Sequence, residues 1–442
     1  MAPISPIGAH AMLLLLLQLG ALLLLALALG RLAVRLKMPA VVGELCAGVV
    51  LGPSLFFQVA PDLAGWLIPR EAEQFHMLDA VGQIGVLLLV GITGAHLDMK
   101  LIRRQGGAAV KVSGFGLVIP LGLGVGTGLL LPQALNGGKD QTVFALFLGV
   151  AMCVSAIPVI AKTLIDMNLM HRNIGQLTLT AGMVDDAFGW LMLSVVSAMA
   201  TTGLRTGTIA LSLAYLVAVL AFAAVIGRPL VRKAFQLAGR SAEATPTIAT
   251  AVVLILLASA GTHALGLEAI FGAFVVGILI SEYGKPDPAR LAPLRTVVLA
   301  VFAPLFFATA GLRMDLTALA RLDVLGFALL ILAVAIAGKF IGAYLGARAS
   351  RLNKWEALAL GAGMNARGVV EVIVAMVGLR LGVISTEIFT IIILVAVVTS
   401  VIAPPILRIA MARVEQTPEE DERHKVHLDL STPVRPVLER VG

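Results

Sequence analysis

Residues 174–199 read IGQLTLTAGMVDDAFGWLMLSVVSAM. At about 1.5 Å per residue this run makes a helix of roughly 39 Å, long enough to cross a hydrocarbon core of about 30 Å. Two adjacent acids, Asp185 and Asp186, stand about 15 Å into it, near the membrane centre. Ionisable groups at that depth are expensive and are functional candidates by default. One stretch therefore sets both expectations: a membrane-spanning helix, and a centre of chemistry halfway along it.

Runs of the same kind recur along the whole chain. Of the 442 residues 59% are hydrophobic and 13% charged, about half the charged share of a soluble domain. Lipid offers no partner to backbone N–H and C=O groups, so the runs must be helices. The alternating short segments of a barrel are absent. Thirteen candidate helices lie near 9–36, 39–58, 79–97, 108–131, 142–165, 174–199, 207–227, 246–264, 266–283, 294–312, 322–348, 354–379 and 386–411. The expected fold is an all-α polytopic membrane protein. Residues 1–412 form its transmembrane domain, and 413–442 form a short, disordered cytoplasmic tail.

Charge placement orients the chain. The net charge of +7 does not point to nucleic acid, because Lys and Arg sit in short loops between apolar runs. With the N-terminus outside, the cytoplasmic loops carry about 18 Lys/Arg against about 6 on the other face, following the positive-inside bias. Arg228, Arg232, Lys233 and Arg240 are the strongest single contribution. Met1 to His10 holds no basic residue before the first apolar run, while Arg31, Arg35 and Lys37 follow it. That order reads as an uncleaved anchor in the cell membrane rather than a signal peptide. The two cysteines, Cys46 and Cys153, both fall inside predicted helices, which excludes a disulfide framework or a thiolate metal site. No cofactor motif is present.

Two internal matches suggest a repeat. Glu44 to Gly52 reads ELCAGVVLG and Glu268 to Gly277 reads EAIFGAFVVG. The next helix ends in Gly94-Ala-His-Leu-Asp98 in the first half and in Gly311-Leu-Arg-Met-Asp315 in the second. A five-helix unit, about 39–199, is thus expected again over about 266–411. Equivalent members are seven helices apart, an odd number, so the copies insert in opposite directions. Inverted repeats place a transport site at mid-membrane, where discontinuous helices meet. The fourth member of each unit carries the signature of such a break. Val154-Ser155-Ala156-Ile157-Pro158 frees a turn of backbone through its proline. Gly361-Ala-Gly363-Met-Asn365-Ala-Arg367-Gly368 is glycine-rich and polar at mid-span. The expected outcome is a pair of broken helices that cross.

The ionisable residues inside apolar runs are Glu44, Lys111, Asp185, Asp186, Glu268, Lys339, Arg367 and Glu371. Adjacent residues of a helix point about 100° apart, so Asp185 and Asp186 face different neighbours. Two close buried acids resist double ionisation, and a carboxylate that holds either a proton or a dehydrated cation is the minimum requirement for exchange. Lys339, midway along its helix, is the expected partner of Asp185, which leaves Asp186 for a transported monovalent cation. Released from that pair, Lys339 becomes a second proton carrier. Lys111 is the rival partner but lies nearer a helix end, where snorkelling is cheap. Arg367 and Glu371 are four apart and can pair along one helix, neutralising the half-helix ends at the break. Ser155 and Asn365, beside the breaks, are candidates to lend oxygens to the ion. Glu44 and Glu268 are expected to cap or hydrogen-bond within their own units. An intramembrane aspartyl protease needs acids facing each other from separate helices. Asp185 and Asp186 are neighbours on one, so the chain is not read as an enzyme.

Thr180-Ala-Gly-Met-Val-Asp-Asp-Ala-Phe-Gly-Trp190, Gly338-Lys339, and Met364-Asn-Ala-Arg-Gly-Val-Val-Glu-Val-Ile-Val374 resemble the monovalent cation:proton antiporter superfamily. The branch they are most similar to is the Kef-type and plant cation/H+ exchanger-like group. Pro304-Leu-Phe-Phe-Ala-Thr-Ala-Gly-Leu312 also looks like the family's phenylalanine-rich segment. The resemblance covers about 10–412 and implies the sodium/proton antiporter fold: a thirteen-helix homodimer whose six-helix core moves like an elevator against a dimerisation domain. It implies secondary exchange of Na+ or K+ for protons in pH homeostasis, with the second aspartate on the cation and the first on the buried lysine. Those positions match Asp186, Asp185 and Lys339. Many plant members have asparagine where this chain has Asp185, which favours net charge transfer here. The nucleotide-binding domain of many Kef-type proteins has no counterpart. A channel-like cation efflux protein and a sodium-coupled organic solute symporter are the alternative readings.

Overall fold

The computed structural model describes residues 7–36, 38–68, 72–95, 99–202, 206–241 and 243–420, and every regular element among them is helical. The first half comprises α1 (Ala9–Arg35), α2 (Ala40–Leu51), the short α3 (Phe56–Val59) and α4 (Pro61–Leu67), α5 (Ala72–Ala95), α6 (Met99–Leu130), α7 (Gln141–Cys153), α8 (Ile157–Asp166) and α9 (Asn173–Thr202). A long linker follows, in which α10 (Thr206–Phe222) runs through a π-helical turn into α11 (Arg228–Ala238). The second half comprises α12 (Thr245–Ala264), α13 (Ala269–Leu279), α14 (Pro288–Val297), α15 (Ala303–Gly311), α16 (Leu322–Ala349), α17 (Lys354–Met364), α18 (Val369–Arg380) and α19 (Thr386–Met411). A second π-helical turn joins α14 to α15.

Among the described residues ten helices are long and apolar enough to cross a membrane, and α17 with α18, bent by 43° at their junction, make an eleventh. The other two candidate segments contain shorter apolar helices, Gln141–Cys153 and Ala269–Gly284. This is the all-α polytopic architecture expected from the sequence. The expected end of the third candidate segment, His96 to Asp98, lies outside the described residues, and so does the tail from 421.

Small residues set the closest helix contacts, as they do where lipid removes the hydrophobic drive for association. α2 packs on α15, and α5 packs on α13. A Cβ at Gly48 would run into the backbone of Ala308 and Gly311, and one at Gly277 into that of Gly91 and Gly94. The two stretches matched in the sequence thus lie in two separate contacts, α2 against the end of α15 and α13 against the end of α5.

Both expected breaks are present. α7 ends at Cys153, Val154 and Ala156 are extended, and α8 starts with Pro158 in its first turn. α17 begins at a capping box in which Asn353 and Glu356 satisfy each other's backbone. It ends at Met364, and α18 resumes at Val369 after Gly368, held at φ +158° and ψ −107°. A side chain rarely adopts that backbone, and a Cβ at Gly368 would also press on Val159.

Candidate functional site

The two breaks cross and are tied directly. Ala156 N–H donates to the Ala366 carbonyl at 3.2 Å, and Ser155 Oγ donates to the Met364 carbonyl at 2.7 Å. Each half-helix leaves backbone groups without intrahelical partners, and side chains from elsewhere satisfy them. Arg367, fully buried, donates to the carbonyls of Ala151 (3.2 Å), Met152 (2.7 Å) and Ala335 (3.0 Å). Its guanidinium thus closes the C-terminal end of α7, where the helix dipole is negative. Glu371, in the first turn of α18, pairs with Arg367 at 3.2 Å, placing a negative group where the dipole is positive. Ser400 Oγ on α19 donates to the Arg367 carbonyl.

α9 carries the acid pair past this crossing, and its two faces differ. Asp185, fully buried, accepts from Lys339 Nζ on α16 at 2.5 Å and faces Ser113 Oγ on α6 at 2.8 Å and Ser155 Oγ in the first break at 2.9 Å. Each hydroxyl shares its one proton between this carboxylate and a backbone carbonyl, Ala181 for Ser113 and Met364 for Ser155. Lys339, also fully buried, donates in addition to the Cys153 carbonyl at 2.6 Å and the Gly116 carbonyl at 3.0 Å. One ammonium therefore serves the carboxylate and the free end of α7 together. Among the described residues the rival, Lys111, reaches the Ala349 carbonyl, at 3.4 Å in an exposed position, and not Asp185.

Asp186 is equally buried, yet neither of its carboxylate oxygens has a hydrogen-bond partner among the described residues. Helical spacing puts it in one stripe with Gly182 and Gly189. A Cβ at Gly182 would touch Ile157 and Ile160, and one at Gly189 would touch Val154. This stripe lies against the first break. Asn365 Oδ1 and Glu371 Oε2, at the second break, are likewise buried without partners. A buried polar oxygen with nothing to pair with is costly, and a charged one needs a cation or a proton. No cluster of three His, Cys, Asp or Glu able to hold a resident metal occurs among the described residues.

A cleft of about 590 Å³ leads to this region from one face. Its mouth includes Pro39, Ala40 and Arg295, and its inner wall includes Ile157, Val369 and Met183, one turn before Asp186. In the opposite direction along α9, Trp190 is buried and packs on Phe274 with ring centroids 6.3 Å apart.

The structure brings together Asp185 and Lys339, and separately Arg367 and Glu371; Ser155, expected to face an ion, is bonded to Asp185 and the Met364 carbonyl. Ser113 escaped the sequence reading. Its only signal was a lone hydroxyl in the apolar, glycine-bearing start of a span, two residues from the lysine that was weighed instead. Arg172 escaped too. It is buried and donates to Glu420 at 3.1 Å and to the carbonyls of Val414 and Glu415, while Glu420 accepts from Asn173 N–H at the start of α9. The described part of the tail is thus held against the helix that carries the acids.

Comparison with known proteins agrees with this architecture. The family model described as "Sodium/hydrogen exchanger, transmembrane" matches residues 20–413. Na(+)/H(+) antiporter NhaS4 of Synechocystis sp. is 32% identical over 386 residues, covering 87% of this chain and 93% of that protein. Cation/H(+) antiporter 17 of Arabidopsis thaliana is 30% identical over 405 residues, 90% of this chain but 48% of its own length, so the chain spans about half of that plant relative. The solved structure of the sodium proton antiporter MjNhaP1 from Methanocaldococcus jannaschii superposes with a TM-score of 0.66 at 17% identity, covering 91% of this chain and 99% of that one. It shows a shared fold.

Proposed function

The chain belongs to the sodium/hydrogen exchanger family, and on that premise we propose that it is a secondary antiporter exchanging Na+ or K+ for protons by alternating access. The observation that carries the site assignment is the contrast at Asp185–Asp186: one carboxylate saturated by Ser113, Ser155 and Lys339, the next one buried with both oxygens unpartnered.

Asp186 is the exchange group. Its carboxylate holds a dehydrated cation or a proton, never both, so a cation arriving through the cleft displaces the proton and the reverse step restores it. Ser155 and Asn365 are the proposed contributors to the cation's oxygen shell, a role supported by their position at the two breaks and by the unpartnered Asn365 Oδ1. Asp185 and Lys339 keep a neutral pair beside the site. If an incoming cation weakens that pair, the Lys339 ammonium can release a second proton, and transport then moves net charge. Arg367 and Glu371 neutralise the crossing half-helices so that the broken backbone stays buried without other ions. The distribution of Lys and Arg puts the N-terminus outside and the C-terminus in the cytoplasm of a cell membrane. The cleft then opens to the cytoplasm. The working unit is taken to be a homodimer.

Proteoliposomes loaded with a pH-sensitive dye test the reading. Adding Na+ or K+ should move protons in the wild type, and Asp186→Ala should reduce that movement to the level of empty vesicles. A wild-type rate in Asp186→Ala removes the site assignment. Cation flux without any coupled pH change would favour the channel-like alternative.

A further inference from the structure

The cleft reaches the crossing point from one face. Its mouth is built from the starts of α2 and α14 and the end of α8 (Pro39, Arg295, Ile165). On the opposite face the same two groups of helices are in contact. There Arg380, at the C-terminal end of α18, pairs with Glu268, at the N-terminus of α13, at 2.7 Å. Glu268 caps no N–H of its own helix, so its carboxylate is committed to the ion pair. Arg313, just beyond α15, lies 3.7 Å from the Met376 sulfur on α18 and pairs with Asp79 on α5 at 2.5 Å. Between this layer and Asp186 sits the buried Trp190–Phe274 contact. Thus α13 and α15 on one side meet α18 and α9 on the other through an ion pair, a thioether contact and an aromatic plug.

Glu44 holds the position in the first five-helix unit that Glu268 holds in the second. It lines the open cleft, and no hydrogen bond or ion pair joins it to any described residue. The same carboxylate is therefore engaged on the closed face and free on the open one.

We propose that the Glu268–Arg380 pair is the latch of the closed face, holding the molecule with its site open to the cleft, and that its breakage is a required step in turning the site to the other side. The proposal deepens the exchange reading and rests on it for its transport consequence, but the latch itself is testable without transport. Two reporter cysteines suffice on a Cys46→Ala background that keeps the buried Cys153: Thr93→Cys in the cleft wall and Met376→Cys under the latch. Each is labelled with a membrane-impermeant maleimide, in vesicles of both orientations.

Glu268→Gln and Arg380→Gln should each raise labelling of Met376→Cys and lower that of Thr93→Cys. The ratio should shift by about fivefold, the population change that goes with ~1 kcal/mol for a partly exposed ion pair. The charge-exchanged double variant, Glu268→Arg with Arg380→Glu, should return the ratio toward wild type. An unchanged ratio in both single variants overturns the latch. So does a parallel rise at both cysteines, which would mean loosened packing. If the ratio shifts as expected while the wild type exchanges no cation for protons, the latch stands and the antiport reading falls.

Discussion

The two faces of α9 at its midpoint carry the same functional group in opposite surroundings. The Asp185 face is crowded with donors from α6, the first break and α16. The Asp186 face meets small and aliphatic side chains and offers its carboxylate no protein donor among the described residues. A paired buried charge is held in place by what surrounds it, and removing one partner strands the other. An unpaired one is available to whatever mobile cation can reach it. Neighbouring positions on one helix thereby separate structure from exchange.

Substitutions at three places would break or sharpen that contrast: Asp186, the Asp185–Lys339 pair, and the two hydroxyls. The largest effect on activity is expected from Asp186→Asn, which keeps the shape and removes the charge. Dye-quench exchange should vanish while thermal unfolding in detergent stays at or above the wild-type temperature, since no described residue hydrogen-bonds that carboxylate. A large drop in stability would mean that Asp186 has a structural partner after all.

Next comes the pair on the other face. Lys339→Met leaves Asp185 without its cation and strips the Cys153 and Gly116 carbonyls of a donor. It should cost about 3–5 kcal/mol of stability, the usual penalty for breaking a buried pair. Lys339→Met combined with Asp185→Asn should recover part of that loss, and the double-mutant cycle in unfolding free energy measures how much. Strict additivity would show that the two groups are not coupled. Any exchange that survives in the double variant should carry less charge per cation, read from its response to an imposed voltage.

The smallest effects belong to the hydroxyls. Ser113→Ala removes one donor to Asp185 and should cost about 1 kcal/mol. Ser155→Ala should cost more: both hydroxyls also reach a backbone carbonyl, but Ala181, which Ser113 reaches, lies inside α9 where the helix already bonds it, whereas Met364 ends α17 and loses a donor from across the two breaks. Equal losses in the unfolding temperature would show that the inter-break bond contributes nothing.

Much of this was legible in the chain itself. Apolar runs of spanning length fixed the helices, because a backbone in lipid has no other way to satisfy its polar groups. Pro158 and the Gly361–Gly368 stretch marked the two interruptions. The eight ionisable residues in apolar runs included every charged group at the crossing, since such groups are too costly to keep without use. What the sequence could not supply was partnership between distant helices. Ser113 was silent, because a single hydroxyl in a span is cheap and common, and only the approach of α6 to α9 gives it a carboxylate to serve. Arg367 was legible as a charge for the half-helix ends, but not that the end it serves is that of α7, whose carbonyls lie more than 200 residues away in the chain. The Glu268–Arg380 pair lay hidden within one unit, between helices whose meeting no local pattern announces. Composition and periodicity determined that the chain spans a membrane, where it breaks, and which charges it carries inside. Which of two adjacent aspartates is tied and which is free was decided only by packing, because a helix fixes the direction of a side chain but not what stands opposite it.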